Sequence, residues 1–153
     1  AVTSGNGCQA SDQVSVTSGP IISTGSLSGS FSSCSGSAQS SAVSFTVTGQ
    51  YLDANITVTR PNSNYELSPD NSDWSSPNAL TLTKDGSNNV STTVYVRVSS
   101  SASTEGTTNI ALTSTNATAV NLATGGCTVN ALPTVTASVA ESSGSSNNDG
   151  AEP

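Results

Sequence analysis

The strongest constraint on the fold is a run of short segments in which apolar and polar residues alternate. Residues 44 to 61, SFTVTGQYLDANITVTRP, show it clearly: Phe45 and Val47 alternate with threonines, and the pattern resumes at Ile56 and Val58. A period of two residues is that of a β-strand with one buried face, and helical periodicity is absent almost everywhere in the chain. β-branched residues also dominate the apolar positions. The sequence therefore predicts an all-β protein.

Segments of this kind follow one another with turn residues between them, which is typical of a two-sheet sandwich. Pro61 and Pro69 bracket the segment at 65 to 68, and because proline cannot donate to a sheet ladder, we expect that strand to be short and near an edge. We predict an antiparallel β-sandwich of about seven to nine short strands. The candidate strands are 20 to 27, 42 to 49, 55 to 61, 65 to 68, 79 to 84, 92 to 100, 108 to 115 and 119 to 130.

The segment KDGSNN, after Leu82, separates two of these strands. Its Asp85-Gly86 pair predicts a tight hairpin, since glycine supplies the positive φ that such a turn requires.

Every second residue of the predicted strands is expected to face inward. The predicted core consists of Ile22, Phe31, Phe45, Val47, Ile56, Val58, Tyr65, Leu67, Leu80, Leu82, Val94, Val96, Val98, Ile110, Leu112, Val120, Leu122 and Val129.

The chain divides into one sandwich and two arms. We predict a single domain at 19 to 132, preceded by a polar N-terminal arm at 1 to 18 that contains a possible edge or exchanged strand, DQVSV at 12 to 16. The C-terminal part, 133 to 153, begins with the strand-capable PTVTASVA and ends in a Ser/Gly/Asn-rich tail of linker composition. If PTVTASVA, residues 133 to 140, has no partner in its own sandwich, it can complete that of a neighbour.

Charge and composition exclude several classes of partner. The net charge is −7, and the three basic residues, Arg60, Lys84 and Arg97, form no stripe that could neutralise a nucleic-acid backbone. No apolar run approaches the roughly 18 to 20 residues of a spanning helix, so membrane insertion is not expected. Serine and threonine make up roughly a third of the chain, far above ordinary usage. This composition, and a start at AVTSGNGC that is compatible with a removed signal peptide, predict an extracellular protein.

The side chains that enzymes use are scarce. Histidine is absent, which excludes the common hydrolase triads and the imidazole ligands of most zinc and copper sites. The ten acidic residues are scattered through loops and the tail. We therefore predict no catalytic activity and no required cofactor.

One loop, SPDNSDWSS, carries the candidate metal ligands Asp70, Asn71 and Asp73, whose oxygen atoms suit calcium. Their spacing matches no complete calcium loop, and capping of turns is the favoured interpretation. Trp74 in the same loop is predicted to cover one end of the sandwich. The alternative is that Trp74, together with Tyr51 at a strand exit, contacts a ligand such as a glycan.

Cys8, Cys34 and Cys127 form an odd set, and an oxidising compartment would join two of them. The first strand region of a sandwich often runs beside the last, which favours a Cys34 to Cys127 bridge and leaves Cys8 free or paired with another chain. Bridges from Cys8 to Cys34 or to Cys127 remain open alternatives.

Five segments stand out in the stretch from about 20 to 135: FSSCSGS, SFTVTGQYLDANITV, YELS, TTVYVRVS and TVNALPTV. Their order resembles that of a repeat module of large secreted surface proteins and adhesins of Bacteroidetes. The resemblance implies an Ig-like β-sandwich that is exported by the type IX route, with no catalytic residues to carry over.

Two functions are therefore predicted. The first is a non-catalytic structural module of an extracellular filament, stalk or adhesin, whose partners are copies of itself or neighbouring surface modules. The second is an adhesin or glycan-binding module that uses the loop around Trp74.

Overall fold

The computed structural model describes residues 2 to 3, 9 to 10, 18 to 74 and 78 to 136, and these residues form strands without any helix. In particular, none of them belongs to a helix that could cross a membrane. The all-β sandwich fold is confirmed, and its Ig-like subtype stays a prediction. The strands are β1 (Val2–Thr3), β2 (Gln9–Ala10), β3 (Ile21–Thr24), β4 (Phe31–Cys34), β5 (Val43–Gln50), β6 (Ile56–Thr59), β7 (Tyr65–Ser68), β8 (Ala79–Leu82), β9 (Val90–Val98), β10 (Asn109–Thr113), β11 (Val120–Ala123) and β12 (Cys127–Asn130).

Two four-stranded antiparallel sheets form the body of the molecule. The first sheet has the order β3-β5-β9-β7, and the second has the order β11-β10-β6-β8. β3 lies beside β11 at one side of the sandwich, and β7 lies beside β8 at the other. The prediction that the strand at 65 to 68 is short and at an edge is confirmed, because β9 is the only described strand that pairs with β7.

A third, parallel pair joins β4 to β12. The sequence predicted no strand at β4, and it predicted one strand over 119 to 130 where the structure has two. β11 and β12 nevertheless follow one course, meaning that they lie in one line. The antiparallel register that pairs Ala123 with Asn109 also pairs Cys127 with Glu105, as an isolated bridge. Gly125 and Gly126, with φ of 75° and 86°, interrupt that course.

The core lies between the two sheets, and period-two alternation predicted it well. All the predicted core residues are buried except Val120, Leu122 and Val129, which are partly buried against the others. Each fully buried aliphatic side chain contributes roughly 1.5 to 3 kcal/mol through removal from water. Further buried apolar residues, which were not predicted, are Val43, Leu52, Val90 and Cys127.

The predicted hairpin at Asp85-Gly86 is wrong. β8 belongs to the second sheet and β9 to the first, so the connection between them crosses from sheet to sheet. Asp85 organises it with its side chain, whose Oδ1 accepts hydrogen bonds from the backbone N–H groups of Ser87 (2.9 Å) and Asn89 (2.8 Å). The positive φ, 63°, falls on Asn88. Asparagine tolerates this conformation, so the connection does not depend on the glycine.

The two arms are described only in part. β1 and β2 form a small antiparallel ribbon, whereas the possible edge strand at 12 to 16 lies outside the described residues. Residues 131 to 136 contain no strand, and the rest of the predicted segment at 133 to 140 also lies outside the described residues.

Candidate functional site

The predicted bridge between Cys34 and Cys127 is wrong, although the early and late strands that carry them are neighbours. The parallel register pairs Cys127 with Phe31 and Cys34 with Asn130. The two cysteines are therefore three positions apart, about 10 Å along the strands, and a disulfide needs Cα atoms within about 7 Å. Cys127 faces the core, Cys34 is exposed, and both thiols are free. Cys8 lies outside the described residues.

We expect the two thiols to differ sharply in reactivity. Cys127 is 3% exposed and its Sγ donates to the Ser103 carbonyl at 3.3 Å. In a Cys8→Ser variant, iodoacetamide should alkylate Cys34 readily and Cys127 at least about 100-fold more slowly, since reaction at Cys127 needs a structural opening of several kcal/mol. Peptide mass spectrometry under native and denaturing conditions measures both rates. Equal native rates, or a linked Cys34–Cys127 peptide, would contradict this structure.

Asp70 caps a turn, in agreement with the favoured interpretation of its loop. Its Oδ1 accepts hydrogen bonds from the backbone N–H groups of Ser72 and Asp73, both at 2.9 Å, and from the Ser68 hydroxyl at 3.0 Å. The two N–H groups hold the pKa of the Asp70 carboxyl well below its ordinary value. Asn71 follows with a positive φ of 65°. Among the described residues, no three His, Cys, Asp or Glu side chains are grouped closely enough to hold a metal ion.

Trp74 lies on the outer face of the first sheet and not over an end of the sandwich. The Arg97 guanidinium carbon is 4.2 Å from the ring centroid of Trp74, and Arg97 Nε donates to Glu66 Oε2 at 2.7 Å. Glu66 and Arg97 are cross-strand partners on β7 and β9. One face of the indole is thus covered by a paired cation, which stabilises the loop on the sheet.

Tyr51, the other predicted ligand contact, is far from Trp74. The residue is 56% exposed. It directly follows β5, at the end of the sheet where β9 begins with Val90. Arg97, against which Trp74 stacks, is seven positions further along β9, about 24 Å away. The structure therefore does not bring Trp74 and Tyr51 together into one site.

The outer strands of the two sheets are the most distinctive surface of the molecule. A strand at the edge of a sheet exposes unpaired N–H and C=O groups, and soluble proteins usually protect such edges with charged residues, prolines or bulges. Here β3, β8 and β11 carry no charged residue, and only β7 has one, Glu66. Ile21, on β3, is also 49% exposed. No described strand pairs with the outer side of any of these edges, so each of them can accept another strand.

One of these edges borders a cleft. β7 pairs with β9 only from Tyr95 to Val98, so no described strand covers that side of β9 from Val90 to Val94. β8, an outer strand of the second sheet, lies across the gap, and no described strand pairs with its outer edge. The cleft between them has a volume of about 380 Å³ and is lined by Thr81, Leu82, Thr83, Asp85, Asn89, Val90, Ser91 and Thr92.

Thr92 shows that this cleft reaches the inner face of the sheet. Inward-facing residues alternate along β9, and Val90, Val94, Val96 and Val98 are all buried. Thr92 has the same inward register, opposite Val47, yet it is exposed. The sandwich is therefore incomplete at this position. One signal of this is present in the sequence: Thr92 is a threonine where the alternation expects an apolar residue.

Comparison of the chain with protein-family models, with curated proteins and with solved structures finds no match to any of them.

Proposed function

We propose that the chain is a non-catalytic structural module of an extracellular bacterial surface assembly, a filament, stalk or adhesin, and that its copies associate by strand pairing. The observation that carries the proposal is the set of outer strands without charged residues, β3, β8 and β11. Strand addition takes its affinity from main-chain hydrogen bonds and needs no special side chains. This mode of binding suits a chain with few reactive residues.

The composition supports the extracellular part of the proposal. The surface is rich in hydroxyl groups and poor in charge, as expected for secreted bacterial surface proteins, and the all-β fold agrees with the resemblance to Bacteroidetes surface modules. An Ig-like subtype of the sandwich forms part of the same proposal.

The experiment is sedimentation velocity of the full chain over a wide concentration range, followed by electron microscopy of the associated fraction. We expect concentration-dependent association. A lysine placed on an edge strand should weaken it, because its charge opposes the approach of a neighbouring strand. Three variants test the three edges separately: Ile21→Lys on β3, Thr81→Lys on β8 and Asn121→Lys on β11.

The matched control is Thr48→Lys, which adds the same charge to an exposed position on β5, a central strand with both edges paired. This variant should associate like the wild type. A chain that stays monomeric at every concentration would contradict the proposal, and so would association that none of the three edge variants weakens.

The second predicted function, glycan binding around Trp74, has less support from the geometry. Carbohydrate stacking uses an open aromatic face, and Arg97 already covers one face of Trp74. Tyr51 cannot assist, because it lies near the opposite end of the sheet.

A further inference from the structure

We infer that the cleft between β8 and the uncovered half of β9 accepts residues 132 to 140 of a second copy as an added strand. This inference rests on the proposed association by strand pairing, and it names the acceptor and the donor.

The acceptor offers both main-chain and side-chain contacts. The outer side of β9 from Val90 to Val94 lacks a described strand partner, although the same residues pair with β5 on their other side. Leu82 and Val90 give the cleft an apolar part. Its hydroxyl groups come from Thr81, Thr83, Ser91 and Thr92. A strand seated here would pair with β9 in line with β7, on the same side of β9, and would cover the exposed inner face at Thr92.

The donor is the segment that leaves β12. Among the large apolar side chains, Leu132 and Val135 are the most exposed in the described part of the chain, at 63% and 88%. Residues 131 to 136 make no backbone hydrogen bond to another described residue outside their own segment. Such apolar groups on an unpaired backbone gain most from a partner strand.

The sequence of the donor suits the acceptor. From residue 134 to 139, TVTASV, apolar residues at 135, 137 and 139 alternate with hydroxyl residues, as in a strand with one apolar and one polar face. The apolar face matches Leu82 and Val90, and the polar face matches the threonine and serine hydroxyls of the cleft. Pro133 precedes this stretch, at the start of the strand, where a missing N–H group is tolerated.

The donor of one copy cannot fill the cleft of the same copy. The pairing registers of β8, β6, β10 and β11 align their residues along the strand direction. Along this direction Ala123 lies five positions from Leu82, and Asn130 lies seven positions beyond Ala123, along the course of β12. This separation is on the order of 40 Å. Val135 follows Asn130 by five residues, which span at most about 18 Å. A strand from residues 132 to 140 that is seated in this cleft therefore comes from another molecule.

Donor and acceptor also lie at opposite ends and opposite sides of the sandwich, because β11 and β8 are the two outer strands of the second sheet. A contact between unlike surfaces is heterologous, and it produces open chains unless its rotation closes a ring. Head-to-tail strand addition through this cleft would thus build a filament.

The test is disulfide cross-linking between two full-length variants, both in a Cys8→Ser/Cys34→Ser background that keeps the buried Cys127. One carries Val135→Cys in the donor and the other Thr92→Cys in the acceptor. After mixing and mild oxidation, non-reducing electrophoresis and peptide mass spectrometry should find a 135–92 linkage between chains. Thr48→Cys, exposed on the outer face of β5, replaces the acceptor thiol in the control. We expect at least about tenfold more linkage at 92 than at 48, because seating raises the effective concentration of the two thiols.

The outcomes separate the two proposals when the same samples are examined by sedimentation. Association with selective 135–92 linkage supports the cleft as acceptor. Association without that linkage, or with equal linkage at 48, overturns this inference. The proposed association by strand pairing would then use another edge of the sandwich. A chain that remains monomeric overturns the proposed function and this inference with it.

Discussion

Replacing Tyr65 by alanine is expected to lower the free energy of unfolding by about 3 to 5 kcal/mol, the range found when buried aromatic side chains are removed. Tyr65 is completely buried, and its ring meets that of Phe31 edge to face, with centroids 5.1 Å apart and planes at 82°. The substitution removes this contact and leaves a cavity between the sheets. Since domains of this size are stable by about 5 to 15 kcal/mol, the loss is large.

Tyr65→Phe is the matched control. The Tyr65 hydroxyl donates to Thr124 Oγ1 at 3.3 Å, and burial raises the pKa of the phenol, so that it stays a donor at neutral pH. Thr124 keeps its other partners without it: its Oγ1 donates to the Thr108 carbonyl at 3.2 Å and accepts from Gly126 N at 3.2 Å. Loss of the hydroxyl should therefore cost only about 1 kcal/mol. Urea unfolding followed by fluorescence measures both variants, and equal losses would show that the ring does not pack as described.

Most strands of the two sheets could be predicted because the alternation of apolar and polar residues that marks each strand lies within a few consecutive residues. The run from 44 to 61 contains β6 and all of β5 except its first residue, Val43, and its alternation is recognised without any knowledge of distant residues. β4 could not be found in this way. FSSC has a single large apolar residue, Phe31, and the partner strand β12 lies almost 100 positions later in the chain. Parallel pairing over such a distance leaves no local pattern.

The candidate cleft depends on which strands are neighbours, and the sequence pattern does not predict these neighbours. The unequal lengths of the strands at 65 to 68 and 92 to 100 were predicted, but not that these two strands pair. The sequence predicts a hairpin after Leu82, and such a hairpin would place β8 next to β9 and close the gap. In the structure this connection crosses to the other sheet, so β8 and β9 face each other across an open edge.

The same limit applies to the cysteines. The neighbourhood of β4 and β12 was predicted from general sandwich topology, whereas the register that separates Cys34 from Cys127 by three positions was not. A shift in register along a strand moves every side chain, and composition does not encode it.

Gly126→Ala is expected to destabilise the protein by about 2 to 5 kcal/mol, because two costs add. The first is the positive φ of 86°, which costs a residue with a Cβ about 1 to 2 kcal/mol. The second is steric: a Cβ at this position would lie 2.8 Å from the Glu105 carbonyl oxygen and 3.1 Å from the Gly106 carbonyl carbon. These are backbone atoms of the loop that bridges to β12, so they cannot turn aside, and overpacking of this kind costs about 1 to 3 kcal/mol.

Two other glycines separate these costs. Gly125 has a φ of 75°, but its Cβ would meet nothing within 4 Å, so Gly125→Ala should show the conformational cost alone, about 1 to 2 kcal/mol. Gly86 has neither a positive φ nor a close neighbour, so Gly86→Ala should be neutral or stabilise by up to about 1 kcal/mol through the unfolded state. Urea midpoints of the three variants should therefore fall in the order 86, 125, 126, from most to least stable. If Gly126→Ala were as stable as Gly125→Ala, the close approach of Glu105 to the start of β12 would be wrong, and with it the continuous course that carries the C-terminal segment away from its own cleft.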